Sequence, residues 1–176
     1  MQQLIPVKTE SQIDTVAALA EEIWSEHYAT ILSRGQIAYM LEHFQSSDAI
    51  RRQIGEAGYA YYLLGNLDGG AGYIAVREED GALFLSKLYI RKRFRGLHIA
   101  ADTMAFLRGF CSARGLQSIY LTVNKRNAGS IAFYRRQGFR TIRSQTSDIG
   151  GGYVMDDYVM ELSADAFPES RPLLFR

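Results

Sequence analysis

The stretch from Arg91 to Ala101 constrains the fold most, because it joins a strand-like run to a helix-like run. Residues 82–90 are rich in aliphatic and aromatic side chains, and residues 99–114 repeat apolar side chains at helical spacing. The connection carries four cations and one glycine: Arg91, Lys92, Arg93, Arg95 and Gly96. Unpaired N–H groups at a helix start attract anions, and a glycine allows close backbone approach. The stretch predicts a phosphate-binding loop, with a solvated basic turn as the alternative.

The segments around this loop predict a mixed sheet. Residues 59–64, 71–77 and 82–90 read as strands joined by short glycine-containing turns, which indicates an antiparallel meander. Residues 117–123 alternate apolar and polar side chains after the helix. Two strands joined through a helix should run parallel with a right-handed crossover, so residues 82–90 and 117–123 are predicted to be parallel.

The N-terminal part predicts an opening strand at residues 3–8 and three helices within residues 11–57. Ser11 is the predicted N-cap of the first helix. One face of that helix is apolar, formed by Ile13, Val16, Ala17, Ala20, Ile23 and Trp24. After the parallel strand, Asn127 is the predicted cap of a further helix, and Gly138 is its predicted stop.

Two closing strands are predicted at residues 139–145 and 153–162, with residues 146–152 as their connection. Asp156 lies among residues that alternation places on one apolar face of the last strand. Burial there would raise the pKa of this carboxyl group. Asp156 is therefore a candidate general base, and a structural carboxylate bonded to a backbone amide is the equal alternative.

Composition narrows the class of protein. The 176 residues carry a formal net charge of +1 and are 47% hydrophobic, which predicts a globular domain over residues 1–162 with a tail at 163–176. A near-neutral charge argues against nucleic-acid binding. Neither a signal peptide, nor a membrane-spanning run, nor a metal-ligand pattern is predicted, so a cytoplasmic protein is expected. The single cysteine, Cys111, falls on an apolar helix face and is predicted to be a buried, inert thiol.

Three local patterns resemble those of the GCN5-related N-acetyltransferases, the GNAT family. The family's pyrophosphate loop reads Gln/Arg-x-x-Gly-x-Gly/Ala, and Arg95 and Ala100 take its first and last places. His98 stands where the family has its first glycine. Residues 88–90 resemble the strand that lines the pantetheine arm, and residues 127–139 resemble the family's Asn-x-x-Ala-x-x-x-Tyr-x-x-x-Gly-Phe segment, with alanine at a neighbouring place.

The resemblance implies an α/β fold with a mixed, mostly antiparallel sheet of six to seven strands, four to five helices and a parallel pair that splays to admit acetyl-CoA. Residues 1–57 then form the variable substrate side and residues 59–162 the acetyl-CoA core. The implied cofactor-binding residues are Leu88, Tyr89, Ile90, Arg95, Gly96, Leu97, His98, Ile99, Ala100, Ala101, Asn127, Ser130 and Tyr134.

The implied reaction is direct acetyl transfer from acetyl-CoA to a primary amine of a small molecule. Tyr134 stands at the family's position for the acid that protonates the leaving thiolate. A backbone N–H of residues 88–90 is implied to stabilise the oxyanion. Glu22 and His27 rival Asp156 as the base, and His27 and Tyr28 are candidate substrate contacts at the end of the first helix.

Several alternatives remain open on the sequence. The acceptor is a polyamine, an amino acid, an antibiotic, or a protein N-terminus or lysine, and residues 153–162 resemble weakly a subgroup linked to polyamines. A non-catalytic acyl-CoA sensor on the same fold is a second reading, motivated by His98. A nucleotide binder is the third, and the absence of a Gly-Lys-Ser/Thr element disfavours it. The apolar residues 173–175 favour a homodimer.

Overall fold

The computed structural model describes residues 4–65 and 70–167. In chain order the elements are β1 (Leu4–Pro6), α1 (Glu10–His27), α2 (Arg34–Phe44), α3 (Ser47–Gly55), β2 (Ala60–Leu64), β3 (Gly72–Glu79), β4 (Ala82–Ile90), α4 (Ile99–Arg114), β5 (Ser118–Asn124), α5 (Ala128–Arg136), β6 (Arg140–Gly150) and β7 (Tyr153–Ser163). Within these residues, no helix combines the length and the apolar character that crossing a bilayer requires. The apolar residues 173–175, behind the homodimer prediction, lie outside the described residues.

The strands form one seven-stranded sheet in the order β1-β2-β3-β4-β5-β7-β6. Strands β4 and β5 are parallel, with residues 82–84 opposite residues 118–120. The pairs β1–β2, β2–β3, β5–β7 and β6–β7 are antiparallel. The predicted mixed, mostly antiparallel sheet with one parallel pair is therefore confirmed. The splay beyond residue 84 stays a prediction.

The contacts divide the chain into two compact units, Met1–Arg77 with Ser86–Ala100, and Glu78–Leu85 with Ala101–Arg176. The first unit contains α1, α2, α3 and the end of β4 with the loop that follows it. The second contains β5, α5, β6 and β7. The single domain expected over residues 1–162 stays a prediction.

Helix α1 begins two residues earlier than predicted, because Thr9 and not Ser11 forms the cap. The N–H of Gln12 donates to the Thr9 hydroxyl at 3.3 Å, and the N–H of Thr9 donates to the Gln12 amide oxygen at 3.0 Å. This reciprocal capping box satisfies two N–H groups at the helix start, so the prediction for Ser11 is wrong. Of the predicted apolar face Ala17 is half-buried, and the other five residues are buried: Ile13, Val16, Ala20, Ile23 and Trp24.

In the first unit, an aromatic cluster fixes the end of β4 against α1. Trp24 stacks on Tyr28 with ring centroids 4.3 Å apart, and Tyr89 meets the edge of Trp24 at 5.5 Å. Tyr73 lies 5.4 Å from Tyr89 on the neighbouring strand. Aromatic pairs at these distances stabilise the fold beyond the burial of their area. The cluster therefore holds Tyr89, a candidate cofactor residue, in a defined position.

Lys87 is buried in the first unit, and its partners among the described residues are a carbonyl, an amide oxygen and a hydroxyl. Its ammonium donates to the Gln53 amide oxygen at 2.6 Å, to the Phe44 carbonyl at 3.3 Å and to the Tyr61 hydroxyl. The Tyr61 hydroxyl in turn donates to the same Gln53 oxygen at 2.5 Å. Because burial disfavours an unpaired charge, the pKa of Lys87 falls from 10.5 to about 7.

Replacing Lys87 by methionine is expected to remove a pH dependence from the stability. Between pH 7 and 10.5 the unfolded chain binds this proton and the folded chain does not, so wild-type stability rises with pH across that window. The full change is up to about 5 kcal/mol. Urea unfolding at several pH values between 7 and 10 should show Lys87→Met losing this rise. Lys92→Met, which changes an exposed lysine, should keep the rise in stability with pH. If stability changed with pH in the same way for the wild type and both variants, Lys87 would not be a buried neutral lysine.

The second unit contains a longer hairpin than predicted. Strand β6 extends to Gly150, and residues 140–150 pair with residues 153–161 of β7, so the predicted end at residue 145 is wrong. The turn consists of Gly151 and Gly152, whose φ angles of +62° and +78° suit a tight hairpin. Polar residues 146–148 form most of the extension, so alternation of apolar side chains could not reveal it.

Cys111 in α4 behaves as the sequence predicts. Its side chain is fully buried. Burial, with a smaller contribution from Glu78, raises the pKa of the thiol to about 12. Because only the thiolate is a strong nucleophile, this cysteine is inert at neutral pH and the prediction is confirmed.

Candidate functional site

The end of β4 is fixed by close backbone packing in the first unit. A Cβ on Gly72 would lie 2.0 Å from the carbonyl oxygen of Tyr89, so β3 can approach here only through a glycine. The N–H of Arg91 donates to the carbonyl of Ala71 at 2.9 Å. Leu88, Tyr89 and Ile90 are each half-buried. The backbone that the resemblance assigns to the pantetheine arm and the oxyanion is thus rigidly placed.

Two arginines of the basic loop are bound by carboxylates of α1. Arg91 donates to Glu22 at 2.7 Å, and Arg95 donates to Glu26 at 3.2 Å and to the Ile90 carbonyl at 2.9 Å. These glutamates lie one helical turn apart and are substantially exposed. Exposed ion pairs contribute only about 0–1 kcal/mol, so an incoming phosphate can replace Glu26 at Arg95 at small cost.

The remaining loop cations are open to solvent. Lys92 and Arg93 form a short 3₁₀ turn with Phe94, and both side chains are exposed. Arg93 lies over the Phe94 ring, with its guanidinium carbon 5.1 Å from the ring centroid. A loop with exposed cations directly before a helix is suited to binding the outer phosphates of a nucleotide-like ligand.

His98 has a left-handed backbone conformation, which is uncommon for a residue with a side chain. Its φ angle is +61°, and that of Gly96 is +81°, so both residues are left-handed. A side chain in this region costs roughly 1–2 kcal/mol, whereas glycine adopts it freely. The loop therefore has at His98 a conformation that glycine would adopt without strain. The His98 side chain is exposed.

Substitutions at His98 should reveal this strain. His98→Gly is expected to be more stable than His98→Ala by roughly 1 kcal/mol, because only glycine relieves the left-handed backbone. Leu97, exposed and without a positive φ, supplies the matched control, where alanine should be at least as stable as glycine. Urea unfolding of the four variants measures both differences. An equal or higher stability of His98→Ala would contradict the prediction.

Helix α4 begins directly after this loop. Ile99 is buried and anchors the helix start, whereas Ala100 and Ala101 are half-buried and Leu97 is 60% exposed. Small side chains at the first turn leave room for a ligand next to the backbone N–H groups. The cofactor role of these residues stays a prediction.

In the second unit, α5 brings together Asn127, Ser130 and Tyr134. The buried Asn127 side chain accepts a hydrogen bond from the N–H of Ser130 at 3.3 Å, so the predicted cap is confirmed. Tyr134 follows roughly two turns later and is 9% exposed. Its ring packs against Phe139 with centroids 5.4 Å apart. Its proposed role as an acid, and the ligand contacts of all three residues, stay predictions.

The two candidate substrate contacts lie at the end of α1. His27 is the last residue of the helix, and its ring meets the edge of Tyr28 at 5.0 Å. Tyr28 is buried and stacked on Trp24, so it supports the aromatic cluster as well. A role of either residue in substrate binding stays a prediction.

Asp156 does not have the environment that the sequence predicted. Its side chain is 54% exposed, and it forms an ion pair with Lys125 at 2.5 Å. Hydrogen bonding to Lys125 lowers the pKa of this carboxyl group, with Thr146 adding a smaller effect. The predicted burial and raised pKa are wrong. The catalytic role of Asp156 loses that support and stays an untested prediction.

The neighbouring residue, Asp157, has the burial and the raised carboxyl pKa that were predicted for Asp156, and the sequence analysis did not identify it. Its side chain is buried, and burial raises the pKa of the carboxyl group from 3.8 to about 6, with a further increase from Asp156 and a decrease from Lys125. Alternation pointed to the wrong face at this part of β7, where Asp157 and Val159 are buried and Val154 and Asp156 are exposed. Both faces of its middle are covered, since Val159 and Met160 are each almost fully buried.

Comparison with known proteins identifies the family. A family described as the acetyltransferase (GNAT) domain matches residues 12–161. The chain belongs to this family. An uncharacterized N-acetyltransferase of Mycobacterium tuberculosis is 31% identical to this GNAT chain over 85 residues, and a protein of Mycobacterium bovis matches equally. The match covers 48% of this chain and 54% of the relative, so the chain spans about half the length of the curated relatives that it matches.

Solved structures share the fold of this GNAT chain at low sequence identity. The PaiA N-acetyltransferase of Thermoplasma acidophilum, solved in complex with coenzyme A, has a TM-score of 0.75 and 18% identity, and the match covers 93% of this chain and 99% of that one. The ribosomal-protein-S18-alanine N-acetyltransferase of Escherichia coli has a TM-score of 0.64 and 16% identity over the whole of both chains. These likenesses establish the fold alone.

Proposed function

We propose that this GNAT chain transfers the acetyl group of acetyl-CoA directly to a primary amine of a small molecule. The observation that carries the proposal is the family match over residues 12–161, which spans both the left-handed loop before α4 and the helix of Tyr134. The structural relative solved with coenzyme A supports the choice of cofactor. The buried, inert Cys111 supports a direct transfer without an acetyl-cysteine intermediate.

Acetyl-CoA is held through its phosphates and its pantetheine arm. The first N–H groups of α4, reached over Gly96 and His98, bind the pyrophosphate. Lys92 and Arg93 pair with the outer phosphates, and Arg95 exchanges Glu26 for a phosphate oxygen. The backbone of residues 88–90 bonds to the pantetheine amides and aligns the thioester. These contacts fix the cofactor before the acceptor arrives.

Acetyl transfer needs charge stabilisation and two proton movements. The neutral amine nitrogen attacks the thioester carbonyl, and a backbone N–H of residues 88–90 stabilises the oxyanion. As the C–S bond breaks, the phenol of Tyr134 protonates the thiolate. A base takes the proton that the amine nitrogen loses. The products are an acetylated amine and free CoA.

The identity of the acceptor can be tested with a panel of amines. The rate of CoA release should be measured with purified full chain over a panel of a polyamine, an amino acid, an aminoglycoside and a peptide. The proposal predicts release with at least one small primary amine and no release without acceptor. Mass spectrometry of the reaction should show one acetyl group on that amine.

Two other results would select the alternatives. Release with only a peptide acceptor would favour a protein N-terminal or lysine acetyltransferase, which the fold shared with the S18-alanine enzyme makes a specific second candidate. Binding of acetyl-CoA with no release over the whole panel would favour a non-catalytic acyl-CoA sensor. A polyamine as the best acceptor would support the weak subgroup resemblance of residues 153–162.

A further inference from the structure

The second unit holds one buried carboxylate atom that lacks a hydrogen-bond donor. The side chain of Asp157 is 6% exposed, and within the described part of the chain its Oδ1 atom is buried with no partner. Nearly all buried polar atoms in proteins are paired, and an unpaired one costs free energy. An N–H group of a ligand would supply the missing donor.

The surroundings of Asp157 keep the carboxylate available for a proton. In register it lies opposite Asn124 of β5 and Gln145 of β6, and both of these are uncharged. The charged groups that act on it are Asp156, which opposes ionisation, and Lys125, which favours it. With its pKa raised to about 6 by burial, the group is ionised at neutral pH and is more basic than an ordinary aspartate.

Backbone hydrogen bonds connect the segment of β7 that contains Asp157 to the turn before α5, the helix that carries the candidate acid. The N–H of Asn127 donates to the carbonyl of Asn124 at 2.9 Å, and the N–H of Lys125 donates to the carbonyl of Asp156 at 3.0 Å. Asn127 then caps α5, which carries Tyr134. The start of β7, the turn after β5 and α5 therefore form one hydrogen-bonded block.

We propose that Asp157 is the catalytic base for the acceptor amine, an assignment that rests on the proposed function. The substrate ammonium donates an N–H to Oδ1 of Asp157, and this proton passes to the carboxylate. The nitrogen lone pair then forms the C–N bond as the C–S bond breaks, and the nitrogen releases its second proton to water. Tyr134 gives its proton to the sulfur, so the acetylated amine, CoA, a protonated Asp157 and a phenolate result. Transfer of the carboxyl proton to the phenolate, directly or through water, restores both groups.

Asp157→Asn tests the assignment, because it keeps the shape of the side chain and removes the base. For a strongly basic primary amine, kcat/KM should fall by about 100- to 1,000-fold, as expected for loss of general base catalysis. For a weakly basic hydrazide, which is already neutral at the assay pH, the loss should be below about tenfold. The wild-type pH profile should have an acidic limb near pH 6, and the variant should lack it. Calorimetric CoA affinity should stay unchanged.

Variants on the same strand separate the possible outcomes. Glu161→Gln, two pairs further along the same face of β7, should keep full activity. Loss of the acidic limb in Asp156→Asn instead would assign the base to Asp156 and overturn the proposal. An active wild type with a fully active Asp157→Asn, or a wild-type profile without the limb, would overturn the proposal alone. A wild type inactive on every amine would overturn the proposed function and the base together.

Discussion

Tyr134→Phe is expected to lower the rate of CoA release by about 100- to 10,000-fold, the usual contribution of a positioned general acid. The CoA thiolate would then leave without a proton donor, whereas the packing of the ring against Phe139 would be kept. Acetyl-CoA affinity, measured by calorimetry, should therefore change by less than about threefold. Steady-state rates with the best acceptor of the panel give the size of the loss.

Tyr120→Phe is the matched control for Tyr134→Phe. The Tyr120 hydroxyl also lies in the second unit and donates to Glu79 at 2.6 Å, but no catalytic role is assigned to it. Its removal should leave the rate within about twofold and cost about 1 kcal/mol of stability. If Tyr134→Phe kept wild-type turnover, the assignment of this phenol as the acid would be wrong.

Gly72→Ala is expected to damage both stability and cofactor binding. A Cβ at this position would lie 2.0 Å from the Tyr89 carbonyl oxygen, so the backbone of β3 or β4 must move. Overpacking typically costs roughly 1–3 kcal/mol, and a contact with backbone atoms, which cannot rotate away, belongs at the upper end of that range. The displaced segment is the one proposed to hold the pantetheine arm, so acetyl-CoA affinity should fall together with the midpoint of urea unfolding.

Gly109→Ala is the control for that substitution. Gly109 lies inside α4, and a Cβ there would meet no atom within 4 Å. Alanine should therefore stabilise the chain by roughly 0.5–1 kcal/mol through the loss of backbone freedom in the unfolded state. A Gly72→Ala variant as stable as Gly109→Ala would show that β3 does not pack tightly on Tyr89.

Local chemistry made much of the fold predictable from the sequence. Asp80 and Gly81, with φ angles of +50° and +78°, form the tight turn that Asp-Gly favours between two strands. Asn127 caps α5 because its short amide oxygen can reach the N–H of Ser130. In each case the residue that decides the structure acts on backbone that lies within a few positions of it in the sequence.

Features that depend on distant packing were not predictable in the same way. Asp156 and Asp157 are adjacent, and only the coverage of both faces of β7 decides which carboxylate is buried. Lys87 reads as an ordinary polar residue of a strand, but α2 and α3 place Phe44 and Gln53 around its ammonium. Burial of a charged group depends on neighbours that are far away in sequence, so alternation along one strand does not reveal it.

The loop at His98 was predictable from the sequence in its position but not in its backbone conformation. The sequence located the loop, and the departure from glycine raised the question of whether its shape was kept. The left-handed φ of His98 shows that the backbone is locally strained at this residue. The strain is a property of the folded backbone, and residue identity alone does not report it.

The fate of a labelled acetyl group tests the central claim most directly. The full chain would be incubated with acetyl-CoA that carries carbon-13 in the acetyl group and with a mixture of primary amines, and both protein and small molecules would be analysed by mass spectrometry. Direct transfer predicts label on an amine, one CoA released for each labelled product, and unlabelled protein. Bound acetyl-CoA that labels no amine, or label that accumulates on the protein before amine is added, would contradict the claim.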